Sequence, residues 1–272
     1  MIRHIAGRQN HSVKLARKLQ QKKHRRDRGR LIGEGLDLLI VAQDAGAEIL
    51  EVLAREDLLS RLPRRLVERA EAGQLEIGLC DQETLAAASA LGGAADVLFV
   101  VREPSWNMAD LLLADSLALY LDGVGDPGNV GTLVRSAVAF GASGVMTAPG
   151  TADTYGAKAM RAGMGAQFLC KILPEVTPGD LLSRLDAERT RGSGPTAILV
   201  ADAHGGEDIR TVGLLGGGGV VLVLGAERAG PGGQWEAFPR VTIPQVNFDS
   251  LNVAMAGTVL LYELSRARSG NQ

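Results

Sequence analysis

The sequence predicts an α/β protein with mostly parallel sheets, in two folded parts. Three observations carry that expectation. Short apolar runs alternate with segments whose apolar residues recur at helical spacing, from residue 31 onward. Glycine is abundant, at 35 of 272 residues, and clusters where one run gives way to the next. One stretch, 121–146 (LDGVGDPGNVGTLVRSAVAFGASGVM), reads as strand end, tight loop, helix and new strand. Such βαβ units place their loops at the carboxyl ends of strands, where open α/β sheets bind ligands.

The composition narrows the function classes. The chain is 46% hydrophobic and 22% charged, ordinary for a globular protein. Aromatics make up 4%, which argues against an aromatic-lined carbohydrate or peptide groove. Cys80 and Cys170 lie far apart in apolar segments with no C-x-x-C partner, so no metal site is expected. That usage fits a reducing cytoplasm. No run approaches the roughly 18 apolar residues of a membrane helix, and the basic N-terminus lacks the apolar core of a secretory signal. The net charge of −2 hides an asymmetry: residues 1–30 carry eleven Lys and Arg against one acid, Asp27.

Residues 1–30 therefore read as a basic arm, with Val13, Leu15, Ala16 and Leu19 the apolar minority. Lys14, Arg17, Lys18, Lys22, Lys23, Arg25 and Arg26 are its candidate contacts to nucleic-acid phosphates; a disordered or solvated terminus is the bland alternative. Residues 31–104 read as a small module of order αβαβαβ. It opens on a helix with Leu36, Leu39, Ile40 and Ala42 on one side. A strand at 47–54 follows, then a helix ending at Gly73 and a strand at 75–80. A helix capped by Asp81 stops at Gly92, before a strand over 95–104. No catalytic cluster stands out in it. Residues 105–113 read as a linker, with Trp106 at the domain boundary. The third part, 114–272, has strands near 116–121, 144–148, 168–173, 196–201, 219–224 and 240–243. Its helices lie near 129–140, 154–163, 178–191 and 251–267.

Gly123-x-Gly125-x-x-Gly128 spells the dinucleotide pattern after a strand. Pro127 stands where that pattern opens into a helix, and the next strand lacks the terminal acid that holds a ribose, so an oxidoreductase is disfavoured. Three other loops carry the chemistry together. The first has Asn129 and Arg135, read as a capping residue and a cation on one face of an apolar helix. An Arg on such a face needs an anionic or hydroxyl partner. The second has Glu227 between glycines after an apolar strand. The third, IPQVNFDSLN, has Pro244 stopping a strand, and Ser250 and Asn252 flanking the last helix.

In that order these three segments resemble the three motifs of the SpoU/TrmH family of RNA ribose 2′-O-methyltransferases, in the SPOUT superfamily. Residues 31–104 resemble the family's substrate-binding domain. One departure is Gln245, where the family commonly has Met. The resemblance implies a C-terminal α/β domain with a deep trefoil knot and a homodimer joined through knot helices. In the last helix, Ala254, Ala256 and Gly257 allow close approach, and Val259, Leu260 and Leu261 supply apolar area. It implies S-adenosylmethionine held by loops at 201–205, 224–230 and 243–251. Ala201, Leu224, Gly225, Ala226, Gly230, Ile243, Pro244, Ser250, Leu251 and Asn252 would be the contacts. It implies Arg135 as the residue that activates or stabilises the ribose oxygen, positioned by Asn129, Glu227, Ser250 and Asn252. Ribosomal RNA is the expected substrate; transfer RNA, or a non-catalytic role in ribosome assembly, are the alternatives.

Overall fold

The computed structural model describes residues 1–90, 95–191, 197–212, 218–247 and 250–269. In chain order the first elements are β1 (Ile2–His4), α1 (His11–Leu19), α2 (Lys22–Arg28), β2 (Arg30–Glu34), α3 (Leu36–Asp44) and β3 (Ile49–Arg55). They are followed by α4 (Arg64–Glu71), β4 (Glu76–Cys80), α5 (Gln82–Ala86) and β5 (Val97–Arg102). Next come β6 (Leu117–Asp122), α6 (Pro127–Ala139), β7 (Gly144–Thr147), α7 (Ala157–Ala162) and β8 (Ile172–Leu173). The chain ends with α8 (Pro178–Arg191), β9 (Ala197–Ala201), β10 (Glu207–Asp208), β11 (Val220–Gly225), β12 (Arg240–Thr242) and α9 (Val253–Ser269). Two compact units emerge: Met1–Ser105 with Tyr155–Leu169, and Trp106–Thr154 with Cys170–Gln272.

The first unit is a five-stranded sheet of order β1-β4-β3-β5-β2. β1, β4 and β3 run parallel, while β5 is antiparallel to β3 and β2. Its basic segment is not a separate arm. Asn10 caps α1 by accepting from Ser12 N, and Val13, Leu15, Ala16 and Leu19 enter the core beside Ile32, Leu53 and Leu98. Lys14, Arg17 and Lys18 stay outside, so α1 is amphipathic with a cationic outer face. Lys23 and Arg26 of α2 are exposed and Lys22 is half-buried. Arg25 is 3% exposed and donates to the carbonyls of Leu19 and Gln20, so it braces the turn between the helices and is not offered to a phosphate.

Other expectations also change. Gly33 and Glu34, read as the start of a helix, instead end β2, where Gly33 lies opposite Phe99 on β5 and a Cβ would collide with the ring at 2.2 Å. In α3, Leu36, Leu39 and Ala42 are buried as expected, but Ile40 is 38% exposed and Leu38 takes its place in the core. The helix after Asp81 ends at Ala86, and the stop expected at Gly92 lies outside the described residues. α7 and the turn after it, expected with the C-terminal part, complete the first unit: α7 packs on β2, and Phe168 sits 5.8 Å from Phe99.

The second unit is a seven-stranded, wholly parallel sheet of order β10-β12-β9-β11-β6-β7-β8. Alternation along the strands sorts its two faces. Ala118, Tyr120, Val221 and Val223 pack with Leu181 and Leu185 of α8 and with Trp235. On the other face Leu224 meets Gly257 of α9, which also meets Leu133 of α6, each within 2.5 Å of where a Cβ would stand. The expected linker belongs to this unit: Leu111 and Leu112 are buried, and Lys171 lies 5.7 Å over the Trp106 ring. The strand expected over 168–173 shortens to β8, preceded by a single turn at Ala166–Phe168. Both cysteines are free and buried, and burial pushes their thiols up, Cys80 to about 11 and Cys170 to about 12. Among the described residues, no helix is long and apolar enough to cross a membrane.

Candidate functional site: a cavity at the strand ends of the second unit

The carboxyl ends of β9, β11 and β12 lie side by side, and the loops that leave them enclose a cavity of about 720 Å³. That is the size of a small-molecule or cofactor site. Its walls are Ala201 to His204 from the first loop, Leu224 to Pro231 from the second, and Ile243, Gln245 and Ser250 to Asn252 from the third. Val253, Ala256 and Leu260 of α9 close it. Of the ten residues expected to touch a cofactor, nine line this cavity; Pro244 does not.

Glycine shapes the second wall. A Cβ on Gly225 would stand 2.0 Å from Pro231 N and 2.1 Å from the Gly230 carbonyl carbon, so the returning chain lies directly over this residue. Gly230 makes the return, with φ +67° and its N–H on the Ala226 carbonyl at 2.9 Å. The far end of the wall is held from β6. Oδ2 of Asp122 accepts from Gly232 N (2.9 Å), Gln234 Nε2 (3.1 Å) and Trp235 Nε1 (2.9 Å). On the first loop, Asp202 pairs with Arg240 and accepts from His204 N at 2.9 Å. Burial opposes its charge, but those contacts outweigh it and hold the carboxyl below its usual range.

At the rim three expected residues meet. Asn129 Nδ2 donates to Glu227 Oε1 at 2.9 Å, and Asn252 Nδ2 donates to Asn129 Oδ1 at 3.1 Å. Glu227 Oε2 also accepts from Gly125 N at 3.4 Å. Burial raises the Glu227 carboxyl, but the Asn129 amide and backbone N–H groups lower it further, so it is held below its ordinary value. Asn252 caps α9 through Ala254 N and Met255 N. Through Asn129 these bonds tie the start of α6, the β11 loop and the start of α9 into one frame.

Several expectations about this rim need correction. Asn129 does not cap α6; Asp126 does, accepting from Asn129 N at 2.8 Å, which frees the Asn129 side chain for the frame. Pro127 does not block the helix but begins it, at the first position, where its missing N–H costs nothing. Arg135 does not share a face with Asn129. Six residues at 3.6 per turn leave the two about 120° apart, and Arg135 is exposed, off the cavity wall and without a hydrogen bond or ion pair to a described residue. The glycine loop does not take a dinucleotide phosphate either. Asp126 occupies the N-terminus of α6 and Glu227 occupies the N–H of Gly125, so two of the chain's own carboxylates stand where that anion belongs. Ser250 is exposed at the cavity edge.

Of the three apolar residues expected at a dimer interface, only Val259 is exposed, and it shares its stripe with Met255 and Tyr262, which were not expected there. Leu260 and Leu261 belong to the core, while Met255, Val259 and Tyr262 are 65%, 39% and 48% exposed along one outer stripe. Asp122, Trp235, His204, Arg228 and Arg240 were not singled out from the sequence. Only Asp122, an acid ending a buried strand, left a signal there.

Comparison with known proteins fixes the family. The SpoU rRNA Methylase family matches residues 116–262, and the MRM3-like substrate binding domain matches residues 10–98. The chain belongs to the SpoU rRNA methylase family. It is 32% identical to a 23S rRNA (uridine(2479)-2′-O)-methyltransferase from Streptomyces viridochromogenes, over 64% of this chain and 61% of the relative. It is 26% identical to the 23S rRNA (guanosine(2553)-2′-O)-methyltransferase RlmP of Bacillus subtilis, over 97% of this chain and 99% of the relative. Among solved structures it resembles the SpoU methyltransferase AviRb from S. viridochromogenes in complex with the cofactor AdoMet. The TM-score is 0.84 at 25% identity, covering 96% of this chain and 99% of that one. The SpoU family match begins at the first strand of the parallel sheet. The substrate-binding match includes α1 and α2, agreeing with their place in the first unit.

Proposed function

We propose that this SpoU-family chain methylates a ribose 2′-hydroxyl of ribosomal RNA, 23S RNA by analogy with its relatives, using S-adenosylmethionine. The observation that carries the reading is the cavity at the ends of β9, β11 and β12, with the Glu227–Asn129–Asn252 frame at its rim. The cavity suits the cofactor. Leu224, Ile243, Leu251, Val253 and Leu260 offer apolar walls for a purine, and Gly225 lets backbone groups approach closely. When bound, the cofactor supplies an electrophilic sulfonium methyl. The protein must align the ribose hydroxyl with that methyl and favour loss of its proton.

Arg135 is the residue assigned to the hydroxyl. A guanidinium is charged at neutral pH, so it binds the target phosphate and stabilises the developing oxyanion. Its position supports a dimer. Arg135 lies on the outer face of α6 with Thr132 and Ala139, and α6 is joined to α9 through Ser136 Oγ and Thr258 Oγ1 at 2.7 Å. The Met255–Val259–Tyr262 stripe of α9 is apolar and exposed. A second copy docked there covers the stripe and brings Arg135 to a cavity across the interface. The trefoil knot belongs to the same reading, supported by α9 leaving the cavity to pack on α6 and β11. The cationic outer face of α1 and α2 supports RNA binding by the first unit, and two free buried thiols suit a reducing cytoplasm.

The test is transfer of labelled methyl from S-adenosylmethionine to unmodified ribosomal RNA, with the product mapped by resistance of the modified position to alkaline cleavage. Wild type is expected to mark a single ribose. Arg135→Ala is expected to lose turnover while its calorimetric affinity for the cofactor is kept. Methyl transfer to a base, or near-normal turnover by the variant, overturns the reading.

A further inference from the structure

We propose that Asp122 is the positioning residue of the cofactor loop. It lies at the end of β6, opposite Gly225 in the β6–β11 register, and is not part of the cavity wall. The wall from Ala226 to Pro231 needs two anchors. One is β11 itself, reinforced by the Ala226–Gly230 bridge. The other is Oδ2 of Asp122, where Gly232 N, Gln234 Nε2 and Trp235 Nε1 converge. These donors belong to the residues that follow Pro231, so the clamp fixes where the wall ends.

The chemistry favours a carboxylate here. Three N–H groups share one oxygen, and charge-assisted bonds are stronger than neutral ones. An amide oxygen accepts more weakly. Trp235 adds leverage because it is fully buried, with its ring 5.3 Å from Tyr120 and 5.9 Å from Phe238. Fixing the indole N–H on Asp122 therefore refers the loop side of the cavity to the rigid core of the sheet. Asp122 acts through the loop and touches neither the cavity nor the rim frame.

This inference rests on the cofactor assignment above, and calorimetry with S-adenosylmethionine separates the two. If wild type does not bind the cofactor, the assignment fails. If wild type binds, Asp122→Ala is expected to raise Kd at least tenfold and Asp122→Asn less, with kcat at saturating cofactor within twofold of wild type. Trp235→Phe removes one donor while keeping an aromatic ring in the core. It is expected to raise Kd about threefold, and adding it to Asp122→Asn should have less effect than it has alone. In a Trp106→Phe background, Trp235 is the single reporter, and Asp122→Asn should shift its emission as the indole N–H loses its anionic partner. Wild-type Kd in folded Asp122→Ala overturns the inference. Should that variant fail to fold, wild-type Kd in both Asp122→Asn and Trp235→Phe overturns it equally. A fall in kcat with Kd unchanged also overturns it, because a clamp on the cofactor loop must act through affinity.

Discussion

Gly225→Ala tests the cavity at its tightest point. The added methyl would stand 2.0 Å from Pro231 N and 2.1 Å from the Gly230 carbonyl carbon. Ordinary separation for such atoms is about 3.5 Å, so the returning chain must move by roughly 1.5 Å. Overpacking of this kind costs about 1–3 kcal/mol when a core must absorb it. Here the loop is freer to yield than β11, whose neighbours β6 and β9 hold it on both sides. Most of the displacement therefore appears in the cavity wall. Calorimetry should show a cofactor Kd raised at least about tenfold, equivalent to about 1.4 kcal/mol. Gly230→Ala is the control. Its φ of +67° makes alanine costly, about 1–2 kcal/mol, yet nothing lies within 4 Å of the new Cβ. It should lower Tm with a smaller effect on Kd. Wild-type cofactor affinity in Gly225→Ala, or a larger Kd change in Gly230→Ala, would refute the reasoning.

Replacing Lys14, Arg17 and Lys18 together by Gln should weaken RNA binding, and the log–log salt slope should fall by roughly 0.7–0.9 for each phosphate the helix no longer neutralises. Cofactor affinity should not change, and an unaltered slope would remove α1 from the RNA interface. Glu227 is held below its ordinary range, so its contribution to stability is complete above the usual carboxylate pKa of about 4 and drains as pH falls through its lower folded value. The Tm gap between wild type and Glu227→Gln should be constant from pH 7 to pH 5 and close below about pH 4; a gap that widens on acidification contradicts the frame. Val259→Asp places a charge in the exposed stripe of α9. Sedimentation is expected to show a dimer for wild type and a monomer for the variant, with the cavity still binding cofactor, and equal sedimentation coefficients would remove this stripe from the proposed interface.

The parallel sheet was legible because its strands are buried on both faces and read as continuous apolar runs, as in VVLVLG of β11. The site loops left different marks: those after β9 and β11 follow apolar runs and carry Gly, while the one after β12 shows Pro244 and isolated polar residues without Gly. What escaped the sequence had physical causes. β1 is three residues long, and β2 contains Gly33, whose presence is explained only by the Phe99 ring, supplied by a strand far along the chain. In 1–30 a helix with one thin apolar stripe was legible, but the basic composition masked its docking: four apolar residues suffice to seat a helix whose other faces are cationic. Arg135 was placed on the wrong face by treating six residues as nearly two full turns. Asp126 took the cap expected of Asn129, and only that exchange leaves the Asn129 amide free to join Glu227 and Asn252. The Asp122 clamp joins residues more than a hundred positions apart, which no local pattern displays.

The chain visits the first unit twice, leaving at Ser105 and returning for Tyr155–Leu169. The consequence concerns inheritance as much as architecture. A single genetic exchange near residue 105 would deliver the five-stranded sheet without α7, leaving β2 and the Phe99 ring without the residues that cover them. One crossover near residue 105 thus parts the five-stranded sheet from α7, as it would not for a bead on a string. To keep α7 the sheet must carry along the first βαβ unit of the second unit, β6–α6–β7. Fragment 1–105 should therefore show weaker amide protection along β2 and β5 than the same strands in the full chain, and supplying residues 155–169 as a peptide should restore it.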